Sequence, residues 1–313
     1  MEHKKILLIG GGGTLGTYTA DELLRLGFSV NIICPEEKLS SNKALRFYRE
    51  YATQEFLEKL LSKNRYDGIV NFVHYTSIDA YKPIHRLLSA NTEHLIFLSS
   101  YRVYADLQHP ITETAPQLYD VVSDEDFLEN EDYAVPKSKC ERFIREESNK
   151  LNWTVVRPVI SFSERRFDIV FAHLPETIKN HITTGKPLLL PEVTKNLTAG
   201  LDWARNSGKL IANLLLKEKA LGEAFTVSSA QNLKWCEVAD MYTELCGIKF
   251  QWIKTEEYYR DSEKLPWIFK YDRVFDRKID NSKILGVTGL KARDFFSIKE
   301  GIKTELSKIK QAV

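Results

Sequence analysis

The sequence predicts an α/β fold: a doubly wound parallel sheet in the first half, followed by a smaller and less regular C-terminal region. Three observations carry that expectation. Short apolar runs alternate with amphipathic stretches through residues 1–160, a glycine-rich turn follows the first apolar run directly, and the alternation weakens past Arg157-Pro158. Such alternation is the pattern of βαβ units, and right-handed crossovers stack those units into a doubly wound sheet.

Strands are expected at residues 5–9 (KILLI), 29–34 (SVNIIC), 68–73 (GIVNFV), 94–99 (HLIFLS) and 153–156 (WTVV). Between them, helical spacing runs over about 15–26, 53–63, 78–89 and 134–150. The acidic run Ser123 to Asp132 reads as a solvated loop, because neighbouring carboxylates without a fixed turn repel one another and make a poor metal site. Past residue 160, helices are expected at 168–183, 205–219 and 235–246 among loops, with one strand, Glu223 to Ser228, returning to the sheet. Ile298, Ile302, Leu306 and Ile309 recur at helical spacing with lysines opposite, the pattern of a packed helix.

Bulk composition narrows the function. With 313 residues and 43% hydrophobic content, the chain can bury a sizeable core. Lys and Arg (44) nearly balance Asp and Glu (43), so no whole-protein field draws it to nucleic acid or an anionic membrane, and a small-molecule substrate is expected. The four cysteines form no CxxC pair and lie near no histidine at zinc-ligand spacing, which suits reduced thiols and no metal. No apolar stretch approaches the length of a membrane span or a signal segment, so the expected location is cytoplasmic.

Residues Ile6 to Gly16 read ILLIGGGGTLG, which satisfies both GxGxxG (Gly11, Gly13, Gly16) and GxxGxxG (Gly10, Gly13, Gly16). Alone the pattern is weak. Placed between the first strand and the helix of Thr17 to Leu26, it is the pyrophosphate cradle of a Rossmann-type sheet. Glycines let the backbone turn and approach a phosphate, and the N–H groups of Thr14 and Leu15 at the helix N-terminus face its charge. The expected organisation is an NAD(P)-binding domain over 1–160 and a mainly substrate-binding domain over 161–313, with 222–228 returning to the sheet. After the second strand stands Cys34-Pro35-Glu36-Glu37, with neither the acid nor the arginine that usually sets dinucleotide choice. NAD or NADP is therefore expected, with NAD favoured because Glu36 or Glu37 would repel a 2′-phosphate.

Leu98-Ser99-Ser100-Tyr101-Arg102-Val103-Tyr104 ends the fourth expected strand, at the sheet edge where ligands bind. Further on, Tyr133-Ala134-Val135-Pro136-Lys137 opens a helix, and positions i and i+4 share one face. A free phenol is a poor base at neutral pH, but a fixed cation beside it favours the phenolate. Tyr133 could then exchange a proton with a substrate hydroxyl while hydride passes to or from a nicotinamide, with Ser100 holding the same oxygen. A lysine-rich chain with 14 tyrosines gives about one YxxxK by accident. The order of the three signals, not the spacing, carries the weight.

These residues resemble the extended short-chain dehydrogenase/reductase family, the NAD-dependent epimerases and dehydratases of nucleotide sugars, and within it the atypical branch. The resemblance rests on Gly10-x-x-Gly13-x-x-Gly16, Asp67 to Val73, Ser99-Ser100-x-x-Val103-Tyr104, Tyr133-x-x-x-Lys137-x-x-x-Glu141 and Arg157-Pro158 in family order. It extends to Ala224–Ser229 with Leu233–Gly247, and to Asp276–Gly286. It implies a catalytic triad of Ser100, Tyr133 and Lys137, with Lys137 also on the nicotinamide ribose and Pro158 near the nicotinamide. Asn206 stands where the family often has Asp, and Ser161-Phe162-Ser163 replaces its Tyr-Gly-Pro.

Arg273 and Arg277, in a loop-like region with Trp267 and Tyr271, could clamp a substrate diphosphate with an aromatic stacked on the base; a surface ion pair is the alternative. His74 reads as a packing or loop histidine. The leading expectation is an enzyme that oxidises a secondary alcohol of a nucleotide sugar and returns the hydride. Tyr101-Arg102 after the serine, in place of an acidic pair, favours epimerase or reductase over dehydratase. A ketoreductase on a non-sugar intermediate and a non-catalytic NAD(P)- or RNA-associated protein of the same fold are the other readings. A homodimer is compatible with all of them.

Overall fold

The computed structural model describes residues 4–148 and 150–311. Seven strands form one all-parallel sheet: β1 (Lys5–Ile9), β2 (Ser29–Cys34), β3 (Leu45–Arg49), β4 (Tyr66–Asn71), β5 (Thr92–Leu98), β6 (Trp153–Pro158) and β7 (Glu223–Val227). Their spatial order is β7-β6-β5-β4-β1-β2-β3, so the winding reverses between β1 and β4. A crevice opens at such a switch point, at the carboxyl ends of the strands.

Alternate residues of each strand serve opposite faces of the sheet. On one face Ile6, Leu8, Val30, Ile32, Val70, Ile96 and Val156 pack against helix α1 (Thr14–Arg25) and the helix Ala204–Leu214. On the other, Leu7, Ile9, Ile33, Ile69 and Leu95 pack against α2 (Gln54–Leu61) and α3 (Ile78–Ala90). Beside them Phe97, Trp153 and Val155 meet Cys140, Phe143 and Ile144 of α4 (Ala134–Glu147).

The second half builds its own core. Trp203, Trp235, Tyr242, Phe162 and Phe167 are buried there with the C-terminal helix Ile298–Gln311, whose Ile298, Ile302, Leu306 and Ile309 all face inward. Asn206 is structural: its amide donates to Asp202 and to the Phe296 carbonyl, and its oxygen accepts from the Phe296 N–H.

Three expectations need correction. The segment 168–183 is not one helix. Phe167–Ile169 and Phe171–His173 pair antiparallel about Val170, and the helix is confined to Pro175–Thr184. Val170 sits at φ 62°, a left-handed conformation that a helix excludes and that a β-branched residue adopts only under constraint. Strand β3 escapes the apolar-run pattern because it lies at the sheet edge, where Arg46 and Arg49 are exposed. The acidic run is not a solvated loop throughout: Asp124 caps a short helix, Glu125–Asn130, and Glu131 is buried.

Candidate active site

The glycine turn leaves β1 with Gly10 at φ +71°, its N–H bonded to Ile33 O of β2 at 2.9 Å. Gly13 then occupies the N-cap of α1, and a Cβ there would meet nothing within 4 Å. That side faces open cleft. A Cβ on Gly16 would stand 2.4 Å from both Cα and O of Gly11, so only glycine lets α1 start this close to the turn. Gly16→Ala is therefore expected to push α1 off the turn at a cost of about 1–3 kcal/mol. Denaturant unfolding together with NADH fluorescence titration would check it, and an unchanged pair of curves would refute the packing argument.

The adenine side carries a feature that sequence spacing hid. A Cβ on Gly12 would fall 2.6 Å from Cys34 Cβ and 2.8 Å from Glu36 Oε2, so the Glu36 carboxylate lies against the turn. Lys38 Nζ donates to Gly12 O at 2.6 Å, and Arg165 Nη1 reaches the same carbonyl at 3.0 Å from the second half of the chain. Beside it the hydroxyls of Thr14 and Ser163 share a hydrogen bond of 3.1 Å.

The turn opens into a cleft of about 490 Å³. Gly10, Gly13, Thr14, Leu15 and Gly16 line one end, Ser99, Ser100, Tyr101, Arg102 and Tyr133 the β5 side, and Pro158 to Ser161 the β6 side. Arg166, Asp168, Ala172, Ile268 and Arg273 close the far end. The structure thus brings Ser100, Tyr133, Pro158 and the glycine turn to one cavity.

Tyr133 sits at the N-cap of α4 with no side-chain cap of its own. Glu131 does that work: its Oε2 accepts from the N–H groups of Tyr133 and Val135, each at 3.0 Å. Its other oxygen accepts from Arg102 Nη2 at 3.2 Å, and the Arg102 guanidinium lies 4.8 Å from the centre of the Tyr133 ring. The His74 ring packs against Tyr133 at 5.1 Å, its Nε2 paired with Asp132 O at 2.7 Å. Burial, and then the Lys137 charge, hold the His74 imidazole below its ordinary value. Ser100 caps a turn of 3-10 helix, its Oγ accepting from Arg102 N–H at 3.2 Å.

Lys137 is buried behind the cleft, and its Nζ donates to Leu98 O at the end of β5 at 2.5 Å. Desolvation pushes this ammonium down to about 8. The lysine therefore ties α4 to the strand end that carries Ser99 and Ser100.

Arg273 and Arg277 do not form a paired clamp. Arg277 is buried away from the cleft lining, with Nε and Nη2 on Asp272 Oδ1 and Nη1 on Tyr104 O. Neither a surface ion pair nor a free diphosphate ligand describes it. Arg273 does reach the cleft, but its Nη1 is held by Asp272 and by Tyr101 OH. Tyr271 bonds Asp124 and packs its ring tilted against Phe127, Trp267 packs edge-on to Phe127, and neither aromatic lines the cleft. Sequence reasoning missed Glu131, Arg166 and Asp168, none of which sits in a recognisable motif.

Among the described residues no group of His, Cys, Asp and Glu gathers to hold a metal, and no helix is long and apolar enough to cross a membrane.

A family model described as the NAD dependent epimerase/dehydratase family matches residues 6–205. The chain belongs to that family. This places it among NAD(P)-dependent enzymes of the extended short-chain dehydrogenase/reductase type. No curated protein matches the chain. Solved structures share the fold of this epimerase/dehydratase at low identity. UDP-N-acetylglucosamine 4-epimerase from Methanobrevibacter ruminantium M1, in complex with UDP-N-acetylmuramic acid, aligns with TM-score 0.72 and 16% identity over all of both chains. UDP-glucose 4-epimerase from Thermotoga maritima, with UDP-glucose, gives 0.70 and 18% over 98% of this chain and 99% of that one. The Bordetella bronchiseptica enzyme WbmG in complex with NAD gives 0.70 and 16% over 99% and 95%.

The residues of the turn suit a dinucleotide. The open side of Gly13 and the helix N-terminus behind it would take the pyrophosphate, and Pro158 stands on the cleft wall further along.

Proposed function

We propose that this epimerase/dehydratase acts on a secondary alcohol of a nucleotide sugar, as an epimerase or reductase, with Tyr133 as acid and base. The observation that carries the reading is the convergence of Tyr133, Ser100 and the glycine turn on one cleft. When bound, the nicotinamide would take a hydride from the alcohol carbon and return it. Tyr133 would receive the hydroxyl proton and give it back, and Ser100 would hold the reacting oxygen. Glu131 and Arg102 fix the backbone and ring of Tyr133, and Lys137 fixes the strand end beneath Ser100.

NAD is the favoured cofactor. The Glu36 carboxylate against Gly12 can accept from ribose hydroxyls and repels a 2′-phosphate, although Lys38 and Arg165 at the same carbonyl offset part of that repulsion. Fluorescence titration should find NADH binding at least about tenfold tighter than NADPH, a preference of about 1.4 kcal/mol. Glu36→Gln should narrow the gap, and a wild-type preference for NADPH would reverse the assignment.

The reaction is tested by incubating the protein with NAD and a panel of UDP-, dTDP- and GDP-sugars and resolving the products by chromatography. A new epimer, or cofactor reduction on one of them, is the expected result. Turnover confined to simple ketones with NADH would replace the nucleotide-sugar reading by the reductase one.

A further inference from the structure

The far wall of the cleft holds charged atoms that the protein itself leaves without partners. Asp168, on the strand Phe167–Ile169, is fully buried and lines the cleft. Its Oδ2 accepts from Arg166 Nε at 2.8 Å, whereas its Oδ1 has no hydrogen-bond partner. Arg273 faces the same cavity from another part of the chain, 7% exposed, and its Nε likewise has no partner while Nη1 is held by Asp272 and Tyr101. The two side chains lie in one another's field and still share no hydrogen bond. Buried polar atoms are nearly always paired, and leaving one unpaired costs free energy. The Val170 turn adds strain at the same place, since its φ of 62° holds the hairpin that presents Asp168 and Ala172 to the cleft.

We propose that Asp168 Oδ1 and Arg273 Nε form a subsite for a neutral substrate hydroxyl other than the one that reacts. Charge selects the ligand class. An anion placed here would meet the Asp168 carboxylate, and a cation would meet Arg166 and Arg273. A hydroxyl can both donate its proton to a carboxylate oxygen and accept from a guanidinium N–H, the two roles these atoms leave open. An acetamido group can also donate and accept, but through two atoms. Burial raises the Asp168 carboxyl above its ordinary range, against the opposing pull of Arg166 and Arg273. The inference rests on the nucleotide-sugar reading only for the choice of probe.

The test compares wild type with Asp168→Asn in two measurements. In the first, the NADH-loaded proteins are titrated by calorimetry with UDP, UDP-glucose, UDP-N-acetylglucosamine and the simple polyol sorbitol. UDP-glucose should bind wild type at least about tenfold more tightly than UDP, equivalent to about 1.4 kcal/mol. Asp168→Asn should abolish that increment and leave the affinity for UDP unchanged. An increment that survives the substitution overturns the subsite, and an increment found only with UDP-N-acetylglucosamine overturns the hydroxyl in favour of an amide. If neither UDP compound binds wild type, the nucleotide-sugar reading fails while sorbitol still decides: binding lost in Asp168→Asn supports the subsite, and no binding overturns it. In the second measurement, the ligand-free variant should melt no lower than wild type at neutral pH, because a carboxylate with an unmet oxygen has been removed. A fall of several degrees would mean that Asp168 is a structural anchor and would overturn the proposal.

Discussion

Tyr133→Phe is expected to slow turnover by about a hundred- to ten-thousandfold, the range of a positioned general acid–base group, while NADH binding and the melting temperature stay at wild-type values. The separation follows from how the residue is held. The backbone N–H of Tyr133 is bonded to Glu131, and the ring is flanked by Arg102 and His74, and all three contacts survive in phenylalanine. Only the phenolic oxygen is lost. Single-turnover measurements on whichever nucleotide sugar proves to be a substrate would show the effect in the chemical step. A variant that turns over within a factor of a few of wild type would remove Tyr133 from the proton path and leave the cleft in need of another base.

The largest stability effect is expected at Arg157, which is fully buried beside an equally buried Glu141 of α4. Arg157 Nη2 donates to Glu141 Oε2 at 2.5 Å, Nε donates to both carboxylate oxygens, and Nη1 reaches Tyr104 OH and Glu113 O. Arg157→Met fills similar space but leaves the buried Glu141 carboxylate with only the partly exposed Arg145, 3.5 Å away, and the Gln117 amide, so a loss of about 3–5 kcal/mol is expected by urea unfolding. Adding Glu141→Gln to that variant should recover much of the loss, since the unpaired charge is gone. If the single variant lost under about 1 kcal/mol, Glu141 would have another partner strong enough to hold its charge.

The pH dependence has a definite sign. Burial alone pushes the Glu141 carboxyl up, but the Arg157 charge and hydrogen bonds outweigh it and hold the group below the ordinary carboxylate range. A depressed carboxylate contributes stability that is complete above its unfolded value, about 4.3, and lost as pH falls through the folded value. Wild type should therefore lose this contribution only in strongly acidic solution. In Arg157→Met, acidification toward pH 4 should instead relieve part of the penalty.

Sequence order made the sheet and the candidate catalytic cluster readable because both depend on local signals. The strand β1, the glycine turn and α1 are contiguous, and Tyr133 and Lys137 belong to one helical turn. The far wall was not readable in the same way. Asp168 and Arg273 meet only in three dimensions, and the apolar run around Asp168 reads as helix until Val170 is seen at positive φ. Glu131 looked like one more member of an acidic stretch, because what distinguishes it is burial against Arg102 and the start of α4. Arg277 failed in the opposite direction. Its residue type suited a phosphate, but Asp272 and the Tyr104 carbonyl already occupy its donors.

The seventh strand has a consequence for how the chain is made. Its register against β6, from Glu223 beside Thr154 to Val227 beside Pro158, joins segments separated by the whole of the hairpin and cleft-wall region. The helix Ala204–Leu214, which covers α1 on its face of the sheet, arrives just before it. While the nascent polypeptide is still emerging, β6 is an open edge and the inner side of α1 lacks its cover. Residues 1–160 alone would leave the β6 edge unpaired and α1 without the helix packed beside it, so the sheet is completed only once residues 204–227 are available.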